Sequence, residues 1–231
     1  MTDFPIFDGT LEIRARGAGR VLAGRFAYSE GPGRKMATIR DRGRVRKERI
    51  AGDAFGWQIR EFAKLQEEIA QLIEESFEQA QLEVLRQELE RRNVHVLAGH
   101  SFDRPLGDMK SGTARVASSA EAVEFEVDLP PDGDQPSWMA DTVRMVRAGL
   151  AGGVSPGFRV PPASAVADAE GLEPEPGNPG VQVRVIRQAV LHELSIVTRP
   201  AYSETEIVAR ADELFGVPLA RGRERTRRWL Y

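Results

Sequence analysis

The 231-residue sequence contains no cysteine. This absence excludes disulfides, cysteine nucleophiles and thiolate metal sites, and it is consistent with a reducing cytosolic compartment. No apolar stretch approaches the roughly 18 residues of a membrane span, and the N-terminus lacks a basic start followed by an apolar run. The net charge of -3 gives no electrostatic reason to expect nucleic acid or an anionic membrane as the main partner. We therefore expect a soluble cytosolic protein.

Between Gly56 and Gly99 the chain has neither glycine nor proline. Apolar residues recur there at steps of three and four, and charged residues occupy the positions between them. The apolar set is Phe62, Leu65, Ile69, Leu72, Ile73 and Phe77, followed by Leu82, Leu85 and Leu89. This pattern predicts one long amphipathic helix or a helical hairpin over residues 57–93. Two roles stay open for it: packing on its own domain, or forming a coiled coil or docking element.

The segments on both sides of this helical region are typical of β structure. Strands are predicted in LEIRARG, VLAGRFAYS, VHVLA, SGTARVA, VEFEVDL, VSPGFRV, VQVRVIRQAVL and HELSIVT. Loops are predicted over residues 31–46, 99–107 and 163–180, which are rich in glycine, proline or charge. Helices are predicted over residues 136–150 and 204–214. The mixture indicates an α+β fold.

The stretch GGVSPGF, residues 152–158, contains the pattern Gly-x-Ser-x-Gly around Ser155. In α/β-hydrolases this pattern follows a strand and precedes a helix, and it displays a nucleophilic serine. Here the predicted helix precedes the serine and a strand follows it, so the α/β-hydrolase fold is rejected. Nucleophilic chemistry stays open, because serine triads recur on unrelated folds. An ordinary turn is the alternative interpretation.

A nucleophilic serine needs a base, and the chain offers three histidines. His95 lies inside a predicted strand, whereas His100 follows that strand in a predicted loop, where functional groups tend to be displayed. His192 shares a strand face with apolar residues, which leaves Glu193 on the opposite face. The histidine spacing matches no zinc-binding motif, so neither a metal nor a cofactor is expected.

Four segments follow one another in an order that is typical of one family: KERIAGDAF (residues 47–55), VLAGHSFDRPLG (96–107), GLAGGVSPGFRV (149–160) and LHELSIVTRPAYSET (191–205). Through them the chain resembles the prohead, or procapsid maturation, proteases of tailed bacteriophages, which are similar in fold to herpesvirus assemblins. The Gly-Asp pair of the first segment departs from the family's usual form. The resemblance covers about residues 10–210.

The resemblance implies Ser155 as the nucleophile, His100 as the general base and Glu193 as the third catalytic member. Assemblins use a second histidine in the third role, so the adjacent His192 stays open as an alternative. Strand alternation favours Glu193 independently of the resemblance.

Pro156 also departs from the family pattern, and it removes a backbone N–H that could have served an oxyanion hole. The amide of Gly157, a loop amide or Arg199 are the remaining candidates for that role.

The fold implied by the resemblance is α+β, a mainly antiparallel β-barrel with flanking helices. It would form a single protease domain over residues 1–210, with residues 57–93 as a helical insertion and residues 211–231 as a flexible C-terminal tail. The activity implied is that of a serine endopeptidase, which processes phage capsid and scaffold proteins and itself during procapsid maturation.

The same resemblance implies that the protein works in the bacterial host cytoplasm, inside the assembling procapsid, without a specific nucleic acid or membrane partner. A homo-oligomer through the 57–93 helix is a further possibility that the pattern leaves open. The alternative function is that of a non-catalytic capsid assembly or scaffold factor, in which the serine segment is only a turn.

Overall fold

The computed structural model of the chain describes residues 11–16, 19–29, 36–41, 44–74 and 79–198. Within these ranges it has twelve strands and three helices, which confirms the α+β class. In chain order they are β1 Leu11–Arg16, β2 Gly19–Ala27, β3 Ala37–Asp41, β4 Arg44–Ile50, α1 Gly56–Glu74, α2 Gln79–Arg91, β5 His95–Ala98, β6 Ser101–Asp108, β7 Ala114–Ser118, β8 Ala122–Leu129, α3 Ser137–Arg147, β9 Gly153–Arg159, β10 Glu170–Glu175, β11 Asn178–Ile186 and β12 Val190–Val197. The helix predicted over residues 204–214 and the predicted tail lie outside the described residues.

The described strands form three four-stranded sheets, with the orders β1-β2-β8-β7, β10-β11-β4-β3 and β6-β5-β12-β9. Neighbouring strands are antiparallel except for β4 with β11 and β5 with β12. The closed barrel that the resemblance implies is not found among these strands, because each sheet ends in two edge strands instead of pairing with itself. A core of large side chains joins the three sheets, and it includes Leu22, Phe125, Ile50 and Leu194.

The helical insertion is a hairpin and not one long helix. Gln58, near the start of α1, donates a hydrogen bond to the carbonyl of Arg92, just beyond the end of α2, at 3.0 Å. The two helices must therefore run antiparallel. The same amide donates to the Leu191 carbonyl at 2.8 Å and accepts from the Leu191 N–H at 2.7 Å, so it fastens the base of the hairpin to β12. Among the described helices none is long and apolar enough to cross a membrane.

Two segments predicted to be loops contain strands. The 31–46 segment contributes β3 and the start of β4, and the 163–180 segment contributes β10 and the start of β11. The prediction of loops was wrong because composition shows that a segment is charged but does not show which oppositely charged residues it pairs with. Basic and acidic side chains pair across this sheet as Lys47–Glu175, Arg49–Glu173, Arg184–Glu48 and Arg184–Glu170. The charged side chains of β4, β10 and β11 therefore pair with one another within one sheet.

Candidate active site

A β-bulge in β12 sets the direction of Glu193. On β9 the consecutive residues Phe158 and Gly157 pair with Leu191 and Glu193, so His192 is the extra residue of the bulge. A bulge re-aims the side chains that follow it. Beyond it, Glu193 and Ser195 point to one face of the sheet, as the strand alternation predicts. Glu193 is buried, with 5% of its surface exposed.

His100 lies in a two-residue turn between β5 and β6. Gly99 and His100 have φ values of 66° and 60°, and tight hairpin turns need this left-handed conformation at both central residues. The Gly99 N–H donates to the Ile196 carbonyl at 3.0 Å, which holds the turn against β12. The loop predicted over residues 99–107 is therefore a turn followed by the edge strand β6. A non-glycine residue with positive φ is uncommon and clusters at functional sites.

The structure brings His100 and Glu193 together. The Nδ1 atom of His100 lies 2.6 Å from Oε1 of Glu193. An ionised carboxylate only accepts hydrogen bonds, so with Glu193 ionised the contact places a proton on Nδ1, and in the neutral ring Nε2 then carries the lone pair. The glutamate side chain is 6% exposed and the histidine side chain 48% exposed. The carboxylate is therefore buried, while the ring is about half exposed.

Ser195 connects both members of this pair, and sequence reasoning did not assign it a role. Its hydroxyl donates to Oε2 of Glu193 at 2.5 Å and accepts from the backbone N–H of His100 at 2.9 Å. Its exposed fraction is 0%, so these bonds do not compete with water. The signal was present in the sequence, because alternation places Ser195 on the same face as Glu193.

Gly157 leaves the space that the Glu193 carboxylate fills. A Cβ atom at position 157 would lie 2.1 Å from Oε1 of Glu193 and 2.7 Å from its Cδ. The glycine of the Ser-x-Gly pattern is therefore required for close approach and not for a strained turn, since no positive φ is found at this position.

Ser155 lies within β9, after the predicted and observed helix α3, and it pairs directly with Ser195. Paired residues of antiparallel strands have Cβ atoms about 4.5–5.5 Å apart on the same face. Ser155 is thus beside the residue that holds both Glu193 and His100, and it is 3% exposed. Within the described part of the chain no hydrogen bond joins Ser155 to His100.

The other two histidines lie apart from this contact. The ring of His95 packs edge-on against Phe102, with centroids 5.5 Å apart. Burial, assisted by the positive charge of Arg159, lowers the pKa of His192 below its usual value. Of the two candidates for the third role, Glu193 and not His192 contacts His100. Arg199, a candidate oxyanion donor, lies outside the described residues. Across the described ranges no three metal-ligating side chains come together.

Comparison with protein families adds one finding. A family model described as caudovirus prohead serine protease matches residues 43–216 of the chain, which is more than half of its length. The match includes all four segments that carry the resemblance. Searches of curated proteins and of solved structures find no match.

Proposed function

Because the chain belongs to the caudovirus prohead serine protease family, we propose that it is the serine endopeptidase that cuts capsid and scaffold proteins, and itself, during procapsid maturation. The observation that carries the proposal is the 2.6 Å contact between His100 Nδ1 and the buried carboxylate of Glu193. A histidine oriented in this way is the base that a serine nucleophile requires.

In the proposed mechanism Ser155 Oγ attacks the carbonyl carbon of the scissile peptide bond. His100 Nε2 accepts the serine proton and then delivers it to the leaving amine, and water hydrolyses the acyl-enzyme by the reverse sequence. Glu193 keeps the proton on Nδ1 and stabilises the imidazolium that forms. The hydrogen bond between Ser155 and His100, which the free protein lacks, forms in this mechanism when substrate binds, because catalytic hydrogen bonds are often long or poorly aligned in free enzymes.

Ser195 acts as a positioning residue in this account. It holds Oε2 of Glu193 and the backbone N–H of His100 at the same time, so the carboxylate and the turn keep their relative placement. The oxyanion donor is the amide of Gly157, a loop amide or Arg199, since Pro156 has no N–H to offer.

The proposed place of action is the assembling procapsid in the bacterial host cytoplasm. Among the described residues of α1 and α2, two large apolar side chains are exposed, Ile73 at 53% and Val84 at 61%. We propose that the hairpin docks on scaffold or on a second copy of the chain through this apolar surface. Replacement of both residues by glutamate should lower incorporation into procapsids without lowering peptide cleavage, and unchanged incorporation contradicts the docking role.

The test of the proposed function is intact mass spectrometry of the major capsid protein co-expressed with this chain. The wild-type chain should produce a capsid-protein fragment, and the Ser155→Ala chain should produce none. Ser164→Ala is the matched control, because Ser164 is an exposed serine that lies outside β9, nine residues after Ser155, and it should cleave like the wild type. Association of both chains with capsid protein without any fragment would favour the non-catalytic assembly factor.

A further inference from the structure

A cavity of about 680 Å³ opens beside His100. It lies where β5 and β12 end, between β6 and α3, and this volume is within the range of ligand sites. His100 itself lines it, so whatever fills the cavity meets the ring that contacts Glu193. The cavity therefore borders the candidate active site through His100, whereas Ser155 and Glu193 do not line it.

One wall of the cavity comes from a single face of α3, on which two large apolar side chains flank two polar ones. Trp138 and Met145 are seven residues apart on α3, which places them on the same side of the helix two turns apart. Ala151 and Ile196 extend this wall on the sheet side. Trp138 is fixed in place, because its indole N–H donates to the Pro105 carbonyl at 2.9 Å. The two large apolar side chains of this wall can pack against an apolar side chain of a ligand.

The cavity wall carries one large apolar side chain that is exposed. Met145 lines the cavity and is 37% exposed. Phe102 and Leu150 are also exposed, and each is next in the chain to a lining residue, but neither lines the cavity. The apolar contact that the cavity offers to a ligand therefore comes from Met145 together with Trp138.

The charged residues of the cavity do not favour one sign. Asp103 and Asp141 are acidic and Arg104 is basic, and Asp141 is already paired with Arg144 at 2.8 Å. The charges that line the cavity therefore do not select a basic or an acidic side chain.

The neighbouring strand offers backbone groups to an extended chain. In the described sheet β6 is an edge strand, and residues 102–104 have no register partner on β5. An exposed edge binds an extended peptide by main-chain hydrogen bonds, while adjacent pockets take its side chains and supply specificity.

We propose that this cavity is a specificity pocket that takes a large apolar side chain of the substrate polypeptide, while the substrate backbone lies extended along the edge of β6. The inference rests on the proposed function, because it takes His100 to be the base at the scissile bond. The substrate class is an extended polypeptide segment with a leucine-, methionine- or phenylalanine-sized residue at one fixed distance from the cleaved bond.

The test is cleavage-site profiling with a pool of unstructured peptides derived from a bacterial proteome, with mass spectrometry to locate each cut. The wild-type profile should show a large apolar residue at one fixed position. Met145→Glu should lower kcat/KM for these peptides by about tenfold or more, a size of effect ordinary for a pocket contact. It should also increase cleavage of peptides with lysine or arginine at that position.

Two further variants make the result decisive. Met145→Lys should shift the preference in the opposite direction, toward acidic residues, which misfolding cannot produce. Leu172→Glu is the matched control, because Leu172 is an exposed apolar residue of β10 that does not line the cavity, and its profile should equal that of the wild type. Two results would contradict the specificity pocket and leave the protease function intact. One is cleavage that depends on Ser155 but shows no apolar preference, and the other is a cleavage profile that is the same in the wild type and in both Met145 variants. Absence of any cleavage that depends on Ser155 would instead contradict the proposed function.

Discussion

Replacement of Gly157 by alanine should inactivate the protein without unfolding it. The new Cβ would lie 2.1 Å from Oε1 of Glu193, and real Cβ contacts essentially never fall below 3.0 Å. The carboxylate must therefore retreat by about 0.9 Å or more. The same oxygen makes the 2.6 Å contact with His100, so this displacement stretches or breaks the bond that orients the ring.

The expected loss is in the chemical step. A misplacement of about 1 Å costs on the order of 10²-fold in rate, and loss of the correct histidine tautomer costs about 10⁴-fold. We expect kcat to fall between these limits with little change in KM, as measured by steady-state cleavage of a peptide substrate. The unfolding temperature should fall but the protein should still fold, because overpacking at one position costs about 1–3 kcal/mol.

Gly180→Ala is the control for a strand glycine that gains a methyl group. The nearest atom to its new Cβ is Oδ1 of Asn178 at 3.9 Å, an ordinary contact. This variant should retain wild-type kcat. A Gly157→Ala protein whose kcat stays within about twofold of the wild type would refute the claim that the Glu193 carboxylate acts from its observed position.

Three other changes probe the supports of the site. Ser195→Ala should lower kcat by about 10- to 100-fold with KM little changed, since the hydrogen bonds to the Glu193 carboxylate and from the His100 N–H are both lost, and Ser195→Thr should recover most of it. Gln58→Leu should lower the free energy of unfolding, measured by chemical denaturation, by about 1–3 kcal/mol for each buried backbone group that it leaves unpaired. Unchanged stability would contradict the claim that the Gln58 amide stabilises the fold through its hydrogen bonds with Leu191. Because burial lowers the pKa of His192, the unfolded chain binds a proton more readily, so stability falls as the pH drops through the usual value of 6.5. His192→Gln should lose less stability than the wild type over that pH range and should retain activity. Loss of activity in this variant would instead indicate that His192, and not Glu193, is the third catalytic member.

The sequence predicts the parts of the fold whose pattern is local. The alternation in β8 and the periodicity of α3 each determine which face is buried, and both elements are observed where the pattern predicts them. The choice between a long helix and a hairpin was open because the apolar period is the same in both. Only the contact of Gln58 with Arg92 and Leu191 decides it, and that contact joins residues distant in sequence.

The sequence predicts which residues form the candidate site, but it does not predict how the strands and turns position them. The resemblance and the strand alternation both point to Glu193, yet no local signal reveals the bulge at His192 that separates the neighbouring residues. Positive φ at His100 is likewise set by the pairing of β5 with β6 and by contacts with β12. The close approach of Glu193 to Gly157 depends on side-chain direction between strands, which a single sequence does not contain.

The most direct test of the central claim is covalent labelling with a fluorophosphonate, which reacts only with an activated serine. Ser155 and Ser195 pair across β9 and β12, so the labelled residue identifies the nucleophile. Peptide mapping by mass spectrometry should place the phosphonate on Ser155, and labelling should disappear in His100→Ala and Ser155→Ala proteins. Labelling of Ser195, or equal labelling of the wild-type and His100→Ala proteins, would contradict the proposed roles of Ser155 and His100.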